Sequence, residues 1–487
     1  MSKQKKEILS GILYTGISKY SGIILTLIIS GILARLLHPE DFGIVAIATV
    51  IITFFSIFSD LGISPAIVQN KSLTEDDLAS LFSFTVWLGL FLSFLFLLAA
   101  PFIAAYYNSP VLSVLCGLLT VNLFFNTVNL VPNALLYKNK EFKYIAIRSF
   151  SIQLATGLLA IIAALSGAGL YALLISPILS SIFIFILSYR KYPQKFRFVS
   201  EINSVRKIFS YSLFQFLFNL INYFSRNLDK LLIGKFLGMN PLGYYEKSYR
   251  LMMLPIQNIT FVITPVLHPV LSDFQNDLRF LASSYERIIR ILAFIGFPLS
   301  VFLFFTAQEL TLLIFGNQWL PSVPVFQILA LSAGFQIVLS SSGSIFQAAN
   351  DTKSLFICGL FSSVLNVSGI AMGVFYFKSL EAIAWCLCIT FFINFIQCYL
   401  QMYLKTFNKR SLKSLIKQFL SPLSLTFCCI LLLWPLNTVI SDKNLLANLL
   451  IKGISSIFLV SFYLQLSGEY NLLEKIKKVI WTTKKKD

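Results

Sequence analysis

Runs of about twenty apolar residues, one after another and separated by short polar connections, constrain this chain more than any other feature. A run of that length crosses the hydrocarbon core of a bilayer as a helix. Backbone groups in lipid must be satisfied within the segment, so continuous runs mean helices, whereas a barrel would show short alternating segments. The spans read as about 12–33, 43–64, 78–100, 111–135, 144–165, 169–189, 208–228, 242–263, 288–305, 323–346, 355–377, 382–404, 419–437 and 446–466. A soluble domain is roughly a quarter charged; here the figure is 12%, with 57% hydrophobic residues. The sequence therefore predicts an all-α integral membrane protein of about 14 transmembrane helices.

The net charge of +18 would suit a nucleic-acid partner, but its distribution excludes one. With the first residue placed on the cytoplasmic side, alternate connections hold most of the 39 Lys and Arg, and the opposite connections hold only Arg35, Lys235, Lys378 and Lys443. That asymmetry is the positive-inside signal, and it predicts that both termini are cytoplasmic. The basic N-terminal segment is read as the first anchor, with no small-residue cleavage site after its apolar run. Residues 272–287 and the basic tail, with Leu472, Leu473, Ile476, Val479 and Ile480 at helical spacing, predict in-plane helices. Seven cysteines lie inside apolar runs at spacings that suggest neither a metal site nor a disulfide framework. No cofactor is expected.

A repeat is legible at an offset of 200 residues. Ala34-Arg35-Leu36-Leu37 followed by Phe42-Gly43 matches Gly234-Lys235-Phe236-Leu237 followed by Leu242-Gly243. The expected organisation is two six-helix lobes, 1–205 and 206–405, around a central cavity. Residues 406–487 add two C-terminal helices and the basic tail. Both repeats keep one orientation, so an axis along the membrane normal should relate them.

Ionisable residues inside the spans cost about 2.5–3.5 kcal/mol each on insertion scales, so each needs a reason. Lys19, Asp60 and Arg148 are such residues. Arg226, Asp229 and Lys230 share one helical face, as do Glu246 and Arg250; Lys247 lies between that pair. Internal ion pairs, Asp229 with Lys230 or Arg226 and Glu246 with Arg250, are one account. Snorkelling to an interface is a second. An anionic ligand is a third, because cations outnumber carboxylates in the group. Asn122, Asn126 and Asn129 form a stripe best read as interhelical hydrogen bonding. Pro177, Pro255, Pro265 and Pro269 fall inside spans that could bend.

ARLLHPEDFGIVAIATV, DLGISPAIVQNKSLTEDDL and NLDKLLIGKFLGMNPLGYY, together with PVLHPVLSDFQND, Gly316 and Trp319, resemble the polysaccharide transporter family. These are the Wzx-type flippases of the MOP exporter superfamily. The resemblance is densest before Trp319. It implies the two-lobe fold and export of polyprenyl-diphosphate-linked oligosaccharide from the inner to the outer leaflet of a bacterial plasma membrane. Such transport serves lipopolysaccharide, O-antigen, capsule or exopolysaccharide synthesis. Lys19, Arg226, Lys230, Arg250 and Arg148 are then candidate substrate-binding residues. Asp229, Glu246 and Asp60 are candidates for coupling to H+ or Na+; Asp229 falls on the family's N-x-D motif through Asn227. Arg35, Gly43, Gly234 and Gly243 are candidate hinge residues. Expected partners are the lipid-linked oligosaccharide, membrane lipids, and polysaccharide polymerase and glycosyltransferases. The rival readings are a small-molecule or drug exporter of the same superfamily, and a membrane-embedded glycosyltransferase or polymerase. No long, charge-rich outer loop supports the enzyme.

Overall fold

The computed structural model describes residues 3–198, 220, 223–439 and 444–468, apart from residues 61, 71, 273 and 276. Among them there are helices and no strand. The chain divides into two compact units, residues 1–246 with 314–318, and residues 247–313 with 319–487.

The first unit opens with α1 (Lys3–Leu36), α2 (Pro39–Asp60) and α3 (Ile63–Gln69). It continues with α4 (Glu75–Tyr106), α5 (Val111–Val128), α6 (Leu130–Lys138), α7 (Phe142–Leu165) and α8 (Ala172–Lys191). Helix α9 covers residues 223–236, and α10 (Met239–Ser272) leads out of this unit into the second. Some of the helix starts follow capping chemistry. Thr74 and Asp77 form a reciprocal capping box on α4, each satisfying a backbone N–H of the other. Asn122 donates to the Pro177 carbonyl at 2.7 Å, tying α5 to α8, and Asn126 donates to Asn122. Of the asparagine stripe, Asn122 bonds between helices, Asn126 bonds along its own helix to Asn122, and the Asn129 side-chain oxygen has no hydrogen-bond partner among the described residues.

The second unit contains α11 (Leu278–Phe305), α12 (Ala307–Phe315, as far as Leu313) and α13 (Ser322–Leu339). Then come α14 (Ser342–Ala348), α15 (Thr352–Ala371), α16 (Leu380–Gln401), α17 (Leu412–Val439) and α18 (Leu445–Leu466). Helices α11 and α13 meet where Gly296 and Gly334 face each other, and a Cβ on Gly296 would stand 3.1 Å from the Gly334 carbonyl. Small residues permit that approach, which in lipid supplies packing that no hydrophobic effect provides.

Twelve helices among the described residues are long and apolar enough to cross a membrane. The expected seventh span lies partly outside the described residues. The expected eighth is α10, a continuous 34-residue helix whose first half carries Glu246, Lys247 and Arg250. Residues 272–287 do not form a separate in-plane helix. Asp277 caps the backbone N–H groups of Arg279 and Phe280, so α11 starts at Leu278 and runs unbroken to Phe305. The amphipathic tail lies outside the described residues. All seven cysteines are free thiols, and Cys116, Cys358, Cys398 and Cys429 are buried.

Candidate functional site

Two hairpins of the first unit, α1–α2 and α9–α10, build the site. The α9–α10 turn closes on Gly238, whose φ of +104° is open to glycine and to few other residues. Helices α2 and α10 cross at their first turns. A Cβ on Gly43 would fall on the Met239 carbonyl, and a Cβ on Gly243 would fall on the Pro39 carbonyl. These two contacts are one contact repeated at the offset of 200, so the crossing is reciprocal. Gly234 brings α9 against α2, where its added Cβ would lie 2.7 Å from Ile47 Cδ1. Further along α9, the Tyr223 hydroxyl donates to the Val50 carbonyl at 2.5 Å.

Each of the repeated cations meets the end of another helix. Lys235 donates to the carbonyl of Tyr106, the last residue of α4, and lies 4.4 Å from the centre of its ring. Arg35 packs against Gly316, just after α12, with its Cγ 3.2 Å from the Cβ position. Both sit at helix C-termini, where a cation interacts favourably with the helix dipole. Gln318 completes the end of α1 by donating to the carbonyls of Ala34 and Leu37.

About two turns in from the α9–α10 turn, two adjacent rungs join these helices. The Tyr245 hydroxyl donates to Asp229 Oδ2 at 2.6 Å, and Asp229 also accepts from the Lys230 backbone N–H at 2.8 Å. Next to it, Lys230 Nζ lies 2.7 Å from a Glu246 oxygen. The Lys230–Glu246 pair is not among the ion pairs read from the sequence. Asp229 is buried at 4% exposure and takes its hydrogen bonds from the Tyr245 hydroxyl and the Lys230 backbone, with the Lys230 charge acting on it as well. Glu246 pairs across to Lys230, not along its own helix to Arg250. The reason is geometric: residues 229 and 245, and 230 and 246, are cross-hairpin neighbours. Arg226 stands on the same α9 face and is exposed.

The other candidates are dispersed. Lys19 is half-buried in α1, and Asp60, half-buried, ends α2. Arg148 is buried in α7, where it donates to Ser188 of α8 at 2.5 Å and to Asn133 of α6 at 3.1 Å. In the second unit Arg250 is half-buried, and Lys247 is buried with its ammonium 5.6 Å from the Trp319 ring centre.

Residues 32–324 match the model of a family described as polysaccharide biosynthesis protein. The chain belongs to that family. The teichuronic acid biosynthesis protein TuaB of Bacillus subtilis (strain 168) is 27% identical over 395 residues, which cover 80% of this chain and 81% of TuaB. The lipopolysaccharide biosynthesis protein WzxC of Escherichia coli (strain K12) is 25% identical over 377 residues, covering 77% and 76%. In fold, this polysaccharide biosynthesis protein resembles a solved lipid II flippase, MurJ, in an inward closed conformation. The TM-score is 0.72 over 93% of this chain and 98% of that one, at 17% identity.

Two polar centres of this family member were missed in its sequence. Lys452, 2% exposed, pairs with Glu309 and donates to Asn437 Oδ1 at 2.7 Å and the Phe305 carbonyl at 2.8 Å. The signal was there, because Lys452 is the lone cation of its apolar run. Glu286 accepts from Arg410 Nε at 2.9 Å, Ser414 at 2.7 Å and Tyr403 at 3.1 Å, drawing α11, the end of α16 and the start of α17 together. Only a fold could show this, since Glu286 and Arg410 lie in different connections of the sequence.

Proposed function

We propose that this protein is a transporter, not an enzyme. In this reading it moves polyprenyl-diphosphate-linked oligosaccharide from the inner to the outer leaflet of a bacterial plasma membrane. It is multi-pass with both termini cytoplasmic, and residues 1–205 and 206–405 act as the two lobes of an alternating-access machine. Relatives named for teichuronic acid and lipopolysaccharide biosynthesis support a glycan-linked substrate rather than a drug.

The observation that carries the site is an asymmetry between the repeats. The positions 200 residues before Asp229, Lys230, Tyr245 and Glu246 are Ile29, Ser30, Val45 and Ala46. At those four positions the first repeat carries no ionisable side chain, so its own hairpin, α1–α2, forms without such rungs. A charge that is costly in lipid and unnecessary for the frame needs a functional reason. In the proposed cycle a diphosphate meets Arg226 and competes with Glu246 for Lys230; Lys19 and Arg250 are further candidate cations. Glu246, losing its cation in a low-dielectric site, then takes up a proton or metal cation. Substrate and coupling ion are linked because each changes the affinity for the other. Asp60 and Asp229 are the further coupling candidates, and Arg148 holds α6, α7 and α8 in place rather than meeting substrate.

The test replaces the second-repeat residues by their first-repeat counterparts, Asp229→Ile, Lys230→Ser, Tyr245→Val and Glu246→Ala, in a host lacking the wild-type gene. The expected result is a stable protein, loss of surface glycan, and complete lipid-linked repeat units trapped on the inner leaflet. Normal surface glycan at equal protein level would overturn the assignment. Glu246→Gln alone, which changes charge and little volume, carries the same test if the fourfold variant does not accumulate.

A further inference from the structure

Helix α16 carries a groove of about 370 Å³ on the second unit. Ile393, Ile396, Leu400 and Leu404 line it at helical spacing, each more than a third exposed. Gln397 and Gln401 lie on the same stripe but turn their amide nitrogens toward α15, to Cys358 Sγ at 3.6 Å and Ser354 Oγ at 3.3 Å. Their methylenes are left to the groove. Lys405 closes one end. From residue 393 to residue 405 the stripe rises roughly 18 Å, close to half of the ~30 Å hydrocarbon core. At the Lys405 end the chain adds exposed Lys409, Lys413 and Lys417; of the carboxylates there, Asp351 accepts from Thr406 and Ser354, and Glu286 is taken up by Arg410.

We propose that this groove binds one anionic phospholipid, its acyl chain along α16 and its phosphate at Lys405. Length selects the occupant: the stripe fits a chain confined to one leaflet, whereas a polyprenyl tail of many isoprene units would overrun it. Charge selects the headgroup, since the basic cluster at that end is complementary to a phosphate without a compensating amine. The leaflet is the inner one on the orientation proposed above. The site itself rests on the fold and the groove, not on the transported substrate.

Full-length protein in detergent is incubated with mixed micelles of dioleoylphosphatidylglycerol or dioleoylphosphatidylethanolamine, and retained lipid is counted by native mass spectrometry. The expected preference for phosphatidylglycerol is about fivefold or more, the contribution of one lysine near a lipid phosphate. Lys405→Glu abolishes the preference, and Leu400→Trp, which fills the groove, lowers retention of both lipids. Lys378→Glu, at the opposite end of the α15–α16 hairpin, leaves the preference intact. Equal retention of the two lipids, or an unchanged preference in Lys405→Glu, overturns the proposal. So does displacement of phosphatidylglycerol by polyprenyl monophosphate in a Lys405-dependent way, which would make the carrier lipid the occupant. Should Lys405→Glu not accumulate, Lys405→Met removes the same charge and reads the same outcome.

Discussion

Substituting Gly43 by alanine places a methyl group on the Met239 carbonyl, a main-chain atom in the first turn of α10 that cannot rotate aside. Helices α2 and α10 must therefore separate by roughly an ångström, and overpacking of this kind costs about 1–3 kcal/mol. The cost is read locally. Ile47 is fully buried beside Gly234, so a cysteine placed at 47, in a chain whose seven native cysteines are replaced, reacts with maleimide only when the crossing opens. A penalty of that size raises the labelling rate by a factor between about 5 and 150. Gly243→Ala should act alike, through the Pro39 carbonyl. Combined, the two should cost little more than one, because the first opens the gap that the second needs. Gly359→Ala is the control: its Cβ meets nothing within 4 Å, and in an exposed helix interior it should leave labelling unchanged. Labelling at 47 that ignores Gly43→Ala, or single effects that multiply in the double variant, would refute the reciprocal crossing.

Two further outcomes follow from the second unit. Lys452→Met leaves Glu309 buried without its cation and should cost about 3–5 kcal/mol in unfolding measurements, with most of the loss recovered when Glu309→Leu is added. Burial raises the Asp351 carboxyl, but hydrogen bonds from Thr406 and the Ser354 backbone outweigh it and, with Lys405 nearby, hold the group below its usual range. A depressed carboxyl stabilises the fold above its unfolded pKa and loses that contribution as pH falls through the folded value. Unfolding temperature should therefore drop on acidification below about pH 4, and more steeply in the wild type than in Asp351→Ala.

Helices were legible because lipid leaves the backbone a single solution for each long apolar run. Connections were less so. The start of α11 depends on the Asp277 side chain turning back to cap two N–H groups, which the apolar pattern of residues 274–281 does not reveal. The repeat was legible because Gly43 and Gly243 stand at matching positions, and the reciprocal contacts give those glycines their physical reason.

The charges show where sequence reasoning stops. Helical spacing places Glu246 above Arg250 on one face, yet the shorter path for Lys230 runs across the hairpin. The choice between them is set by how closely α9 and α10 approach. That approach depends on Gly238 closing the turn and on the packing of α9 against α2 through Gly234 and Tyr223. An ionisable residue in an apolar run announces that it has a partner but not which one, because the partner is chosen by helix packing. Lys452 and Glu309 make the same point from the other side. Lys452 is visible in the sequence as a costly charge, and only the packing of α18 against α12 makes Glu309 its partner. Structural pairs of that kind, closed on all donors, resist a ligand. The Lys230–Glu246 rung is about a fifth exposed, beside exposed Arg226, and is therefore the pair on which the proposed diphosphate would act.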